Sequence, residues 1–342
     1  MSLFKLLKSF FVSDNKTSYS DTNRHLETAH IKQAFPTQSV NWPDNCVYHD
    51  LEQAYYQYFI GVNSLLEIEL NPFEQKILYS LENYFQENHQ KLATHIPRLP
   101  DIIPKLLHLL RTNNYSWKEI ASLISRDPVL LLEVLKLANS SRFNLHASED
   151  KLEHVLIQLG LLEVRKVIMR TALKPIMLFE GGYFLKHSGT KIWEHSVKTA
   201  SVCELIAQLK NQEPFEAYLS GLLHNLGMTL VIQTMNSVDD FSDAPRSVFF
   251  KEQLLSLSKR LSVLVAQSWE VNPVVIQAII DQVNDAGDPE TALGQMLYQA
   301  NFISMRYTLE AAGRWPEDTD IEGSMQMLYS QLKPELNALS IH

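Results

Sequence analysis

From about Asp50 to the last dozen residues, apolar side chains recur at steps of three and four and nowhere alternate for the length of a strand. That single period confines the chain to an all-α class. Leu51, Ala54, Tyr55, Tyr58 and Phe59 mark a first helix, and Ile77, Leu78, Leu81 and Phe85 a second. Asn71 before Pro72 has the form of an N-cap followed by a first-turn proline. A further helix carries Ile102, Leu106, Leu109 and Leu110. Ser116 and Glu119 have the spacing of a capping box ahead of Ile120, Leu123 and Ile124. Asp127-Pro128 opens the next helix, and another follows Ser148 and stops near Gly160, with apolar helix continuing to a break near Pro175. Beyond the Gly181-Gly182 loop, helices are predicted over 191–210, 214–223, 246–269, from Asn272-Pro273 onward, 290–310 and 321–332. On the first of these, Ile192, His195, Thr199, Cys203 and Ile206 share a stripe.

Four regions follow. Residues 1–49, polar and irregular after the start, form an arm and linker; 50–91 a small helical N-terminal unit; 92–310 the main multi-helix bundle; 311–342 a C-terminal helical extension. The aromatic density at Tyr55, Tyr56, Tyr58 and Phe59 is expected to pack against the main bundle, with a partner surface as the alternative. Residues 1–11 are short and amphipathic. They pack on their own domain or move freely, and they could make a weak contact with a membrane surface or a partner.

The formal net charge is −9, which weighs against nucleic acid as a partner, because phosphate contacts call for a basic face. Cys46 and Cys203 are far apart and form no paired thiolate motif, as expected of a reducing, cytoplasmic compartment. No apolar run approaches the length of a spanning helix. His89, His95, His108, His146, His154 and His187 are scattered without ligand spacing. The basic residues Arg165, Lys166, Arg170 and Lys174 are expected to form a solvated helix face. No phosphate-cradling loop or cofactor fingerprint is present, and no cofactor is expected.

Six segments, in order, resemble the HDOD family, a branch of the HD phosphohydrolase superfamily. They are Leu99-Pro100, Ile120 to Pro128, Leu135 to Ser140, Val155 to Val164, Ile192 to Ser196, and Ala217 to Gly227. The resemblance implies an HD-like helical bundle serving bacterial signalling as a regulatory or output module. It also implies where a metal site would sit in an active relative. His195 matches the separate histidine of that site. The paired motif reads His224-Asn225 in place of His-Asp, the later histidine pair is replaced by Asp281, Gln282 and Val283, and the late aspartate falls at Asn301. An amide cannot supply the anionic charge that balances a dication. The expectation is therefore no metal and no catalysis. His195, His224, Asn225, Gln282 and Asn301 would form a vestigial polar pocket, with Asp281 the one carboxylate that could enter it.

The expected function is a non-catalytic signalling module that works through a protein partner or small ligand, with a homo-oligomer compatible. The alternatives are a residual metal-dependent phosphohydrolase acting on a nucleotide or cyclic dinucleotide, and a nucleic-acid-associated regulator.

Overall fold

A computed structural model describes residues 45–66, 68–86, 116–140, 142–148, 151–178, 182, 184–238, 245–269, 271–283, 289–315 and 324–339. The expectations for residues 1–11, for the rest of the arm to 44, and for the helix through Ile102 and Leu110 fall outside them. In chain order the helices are α1 (Asn45–Ile60), α2 (Pro72–Gln86), α3 (Trp117–Ile124), α4 (Pro128–Ala138), α5 (Leu152–Met177), α6 (Thr190–Leu209), α7 (Pro214–Leu223), α8 (Leu226–Ser237), α9 (Val248–Ser268), α10 (Pro273–Ile280), α11 (Ala292–Ala311) and α12 (Ser324–Leu339). A π-helical turn, Leu185–Gly189, leads into α6. Among the described residues the only β contact is a single parallel bridge between Leu66 and Ser247. The fold is all-α.

Proline sets several starts. Pro72, Pro128, Pro214 and Pro273 each occupy the first position of their helix, where the missing N–H costs nothing. Asp127 caps α4 by accepting from the backbone N–H groups of Val129 and Leu130, both at 3.0 Å. Asn71 and Glu74 cap α2 reciprocally: Asn71 Oδ1 accepts from Glu74 N at 2.8 Å and Glu74 Oε2 from Asn71 N at 3.0 Å. The capping box expected at Ser116 does not form. Ser116 occupies the N-cap of α3, but its hydroxyl makes no capping bond. Helix α1 starts five residues before Asp50. Tyr48 explains the difference: it stacks on Tyr298 of α11 at 4.4 Å, a long-range contact that overrides weak local helix signals.

The described residues fall into two compact units. One contains α3, α4 and α5 with residues 266–273. Within it, α5 bends where Gly160 takes φ 78°, a left-handed value that side-chain-bearing residues avoid, so helix resumes on the far side in a new direction. The expected solvated basic face is only partly solvated. Arg170 and Lys174 are exposed, but Lys166 is buried beside Glu163, 3.1 Å away, and Arg142 reaches the same carboxylate at 3.4 Å. A buried carboxylate needs such partners, which fixes Lys166 inward.

The other unit holds α1, α2, α6 to α8, most of α9, α10, α11 and α12. Its axis is α6, packed between α7 and α11. Gly221 lets α7 approach: a Cβ there would lie 2.5 Å from the Cα of Ala200. Helix α12 runs longer than the expected 321–332, with Pro334 inside it. It is clamped to α11 by Glu310, which receives Arg306 Nε at 2.6 Å, the Tyr329 hydroxyl at 2.5 Å and Lys333 Nζ at 3.1 Å.

Candidate functional site

The five residues singled out in the sequence line one cavity of about 70 Å³ in the α6–α11 unit. His195 lies on α6, His224 at the C-cap of α7, Asn225 at the N-cap of α8, Gln282 in the turn after α10, and Asn301 on α11. The short α7–α8 junction sets His224 and Asn225 side by side. Ser262 of α9 braces that junction: its hydroxyl donates to the His224 carbonyl at 2.6 Å and accepts from Gly227 N at 2.9 Å.

The hydrogen bonds fix both imidazole tautomers. His224 Nδ1 lies 2.6 Å from the Gly221 carbonyl, which only accepts, so Nδ1 carries the proton and Nε2 is bare. His195 Nε2 lies 2.8 Å from Asn301 Oδ1, which again only accepts, so the bare nitrogen is Nδ1. Neither His195 Nδ1 nor His224 Nε2 has a hydrogen-bond partner among the described residues. The other side of the Asn301 amide donates from Nδ2 to the Tyr48 hydroxyl at 3.0 Å. The two histidine rings stand edge to face, 5.6 Å between centroids, and Tyr55 lies 4.6 Å from His195 on its other neighbour, α1.

Both imidazoles are held neutral. Burial pushes the His195 pKa well below the ordinary value, His224 and Lys198 push it further down, and the Asn301 bond only partly opposes this. Burial lowers His224 to about 4, against the opposing hydrogen bond that its Nδ1 donates to the Gly221 carbonyl. His224 as a residue keeps some exposed surface, but its Nε2 is sealed from solvent.

Asp281 does not enter the cavity. Its carboxylate accepts from Thr291 N at 3.0 Å, Thr291 Oγ1 at 2.5 Å and Gln277 Nε2 at 3.1 Å, so it braces the start of α11 instead. Gln282 lines the cavity but gives its amide N–H groups to the Ala278 and Gly294 carbonyls, both at 3.0 Å, and not to the imidazoles. Tyr48 completes the network through the Asn301 amide. Helix α1 also supplies Glu52, whose carboxylate is paired with Lys259 at 3.1 Å on the cavity wall. The sequence signal for α1 was its aromatic density. Nothing local singled out Tyr48, which is 253 residues from its partner Asn301.

As a metal site this donor set fits poorly. It offers two neutral imidazoles and amides, and its one carboxylate is already committed to a lysine. Among the described residues no group of three or more His, Cys, Asp or Glu side chains is arranged to hold a metal ion. Two uncharged ligands leave a dication without charge compensation.

The HDOD domain family matches residues 96–284, more than half of the chain. This chain belongs to the HDOD family. An HDOD domain protein of unknown function from Geobacter sulfurreducens has a solved structure with a TM-score of 0.50 and 19% identity, covering 78% of this chain and 89% of that one. A candidate metal-dependent phosphohydrolase from Shewanella amazonensis SB2B gives a TM-score of 0.53 at 17% identity, covering 78% and 100%. At such identities the likeness is one of fold. An uncharacterized protein of Treponema pallidum (strain Nichols) is 22% identical over 134 residues, so this HDOD chain spans a quarter of that relative's length. The family match stops before Asn301 and begins after Tyr48, so both partners in that hydrogen bond lie outside it. Among the described residues no helix is long and apolar enough to cross a membrane.

Proposed function

We propose that this HDOD chain is a non-catalytic regulatory module of bacterial signal transduction, working in the cytoplasm through a protein partner. The observation that carries the reading is Asn301. At the position where the resemblance calls for a metal-binding aspartate, an amide is committed on both sides, to His195 and to Tyr48. A neutral network of this kind needs no ion to satisfy it. The size of the cavity supports the same reading. About 70 Å³ suits a few water molecules, whereas pockets for nucleotide-sized ligands run to roughly 300 Å³ or more. The two bare imidazole nitrogens are then acceptors for ordered water.

The alternative, a residual phosphohydrolase, draws on those same bare nitrogens. Metal analysis of the purified protein, with phosphate release from a cyclic dinucleotide in the presence of manganese, separates the two. The wild type is expected to carry no stoichiometric metal and to release no phosphate. Restoring the anions with Asn225→Asp and Asn301→Asp together is expected to create manganese binding. Stoichiometric metal and turnover in the wild type, lost in His224→Ala while the fold persists, would overturn the proposal.

A further inference from the structure

We infer that helix α1 is a displaceable lid over the imidazole cavity, held shut by contacts along its N-terminal half and able to pivot about its C-terminal end. Tyr48, Glu52, Tyr55 and Phe59 recur on α1 at steps of four and three, and all four line the cavity. One face of one helix therefore walls off the two histidines. Its ties are unevenly placed. Near the C-terminal end the Ser188 hydroxyl donates to the Phe59 carbonyl at 2.7 Å, and Lys191 Nζ donates to the Tyr58 carbonyl at 2.8 Å. Just beyond, Gly61 leaves the helix with φ 84°, and Leu66 anchors the chain again through backbone bonds to Arg246 and Val248. Residues 61–65, in no helix or strand, lie between these two anchors, where a hinge would have to be.

Toward the N-terminal end the polar ties are made by side chains: Tyr48 to Asn301 at 3.0 Å and Glu52 to Lys259 at 3.1 Å. The Tyr48–Tyr298 stack and the burial of Leu51 keep the lid shut at rest. The closed lid also leaves polar groups poorly satisfied, which lowers the cost of opening it. Lys251 of α9 is 1% exposed and faces α1. Its ammonium reaches His49 Nε2 at 3.4 Å and Gln53 Oε1 at 3.5 Å, both long contacts to uncharged or titratable acceptors on the lid. Among the described residues the one carboxylate within 4.0 Å of it belongs to its half-exposed neighbour Glu252. The buried Tyr55 hydroxyl, His195 Nδ1 and His224 Nε2 have no hydrogen-bond partner among the described residues. Water entering as the lid lifts gives these groups partners and so offsets part of the apolar contact that is broken. A protein that holds the lifted helix then shifts a closed–open population. The inference deepens the regulatory reading, and its use in signalling rests on that reading.

The test uses the full chain carrying Met228→Cys, which puts a thiol on the cavity wall at a position 6% exposed. Labelling by iodoacetamide under native conditions is followed by peptide mass mapping. Cys203, fully buried and outside the cavity lining, is the internal control for unfolding. Adding Glu52→Lys sets two cations against each other across the lid contact. It is expected to speed labelling of the introduced thiol by roughly tenfold or more, the population change that about 1.4 kcal/mol produces, with Cys203 unchanged. Reversing the pair, Glu52→Lys with Lys259→Glu, is expected to slow labelling again. In the unsubstituted chain the amides of α1 are expected to exchange hydrogen ahead of those of α6 and α11. Four results would overturn the inference: equal labelling with and without Glu52→Lys, labelling of Cys203 in step with the introduced thiol, fast labelling that persists in the reversed pair, or α1 amides that exchange only together with α6 and α11. Stoichiometric metal and turnover in the wild type would overturn the regulatory reading instead and leave these rates untouched.

Discussion

His195 and His224 are two imidazoles placed where neither can take up a proton easily, and this has a thermodynamic signature. In the unfolded chain each titrates near the ordinary histidine value of roughly 6.5. In the folded chain His224 does so only near 4, and His195 is also held well below that ordinary value. Between these limits the unfolded state binds protons that the native state refuses, so stability is full above about pH 6.5 and falls as the pH drops toward 4. For His224 alone the loss amounts to at most about 3 kcal/mol. Urea denaturation midpoints measured from pH 7 to 5 are expected to decline in the wild type and to decline less in His195→Gln/His224→Gln. Equal slopes would mean that the rings are protonated in the fold. The candidate residues themselves were legible because the family resemblance fixes their order along the chain. Their partners were not: Tyr48, Ser262 and the Glu52–Lys259 pair meet the site only through folding, and no local pattern marks them.

At the scale of elements, the helices announced themselves where a local device sets the boundary. Asn71-Pro72 and Asp127-Pro128 are such cases, since the cap and the proline act within one turn. The start of α1 was misjudged because it is decided by stacking against α11, far away in sequence. The Asp281 carboxylate, which could have entered the pocket, turns elsewhere for a related reason: a residue's presence is legible in sequence but its direction is not, and capping the start of α11 satisfies it locally. Helix α12 depends on a charged clamp that sequence alone does not reveal. Arg306 is 1% exposed, and Glu310 is its ion-pair partner at 2.6 Å. Glu310→Gln would leave a buried guanidinium without its anion, at a cost of roughly 3–5 kcal/mol. Chemical denaturation should register that loss, and truncating an exposed residue such as Met327 should not.

For the molecule as a whole, the all-α class followed from periodicity, and the family followed from six short segments in order. The arrangement around the imidazoles required the fold itself, because it is assembled from helices spread over more than 250 positions of sequence. The segment that identifies the family is therefore smaller than the segment that builds its pocket. A polypeptide cut to residues 96–284 would keep both histidines yet lose the amide that orients one of them and the phenol that completes the chain of bonds. In such a fragment nuclear magnetic resonance titration should find His195 returning toward ordinary histidine behaviour, because the burial that depresses it is lost. The borders of recognisable ancestry and the borders of a working interior do not coincide here, and deletions planned on the first would open the second to water.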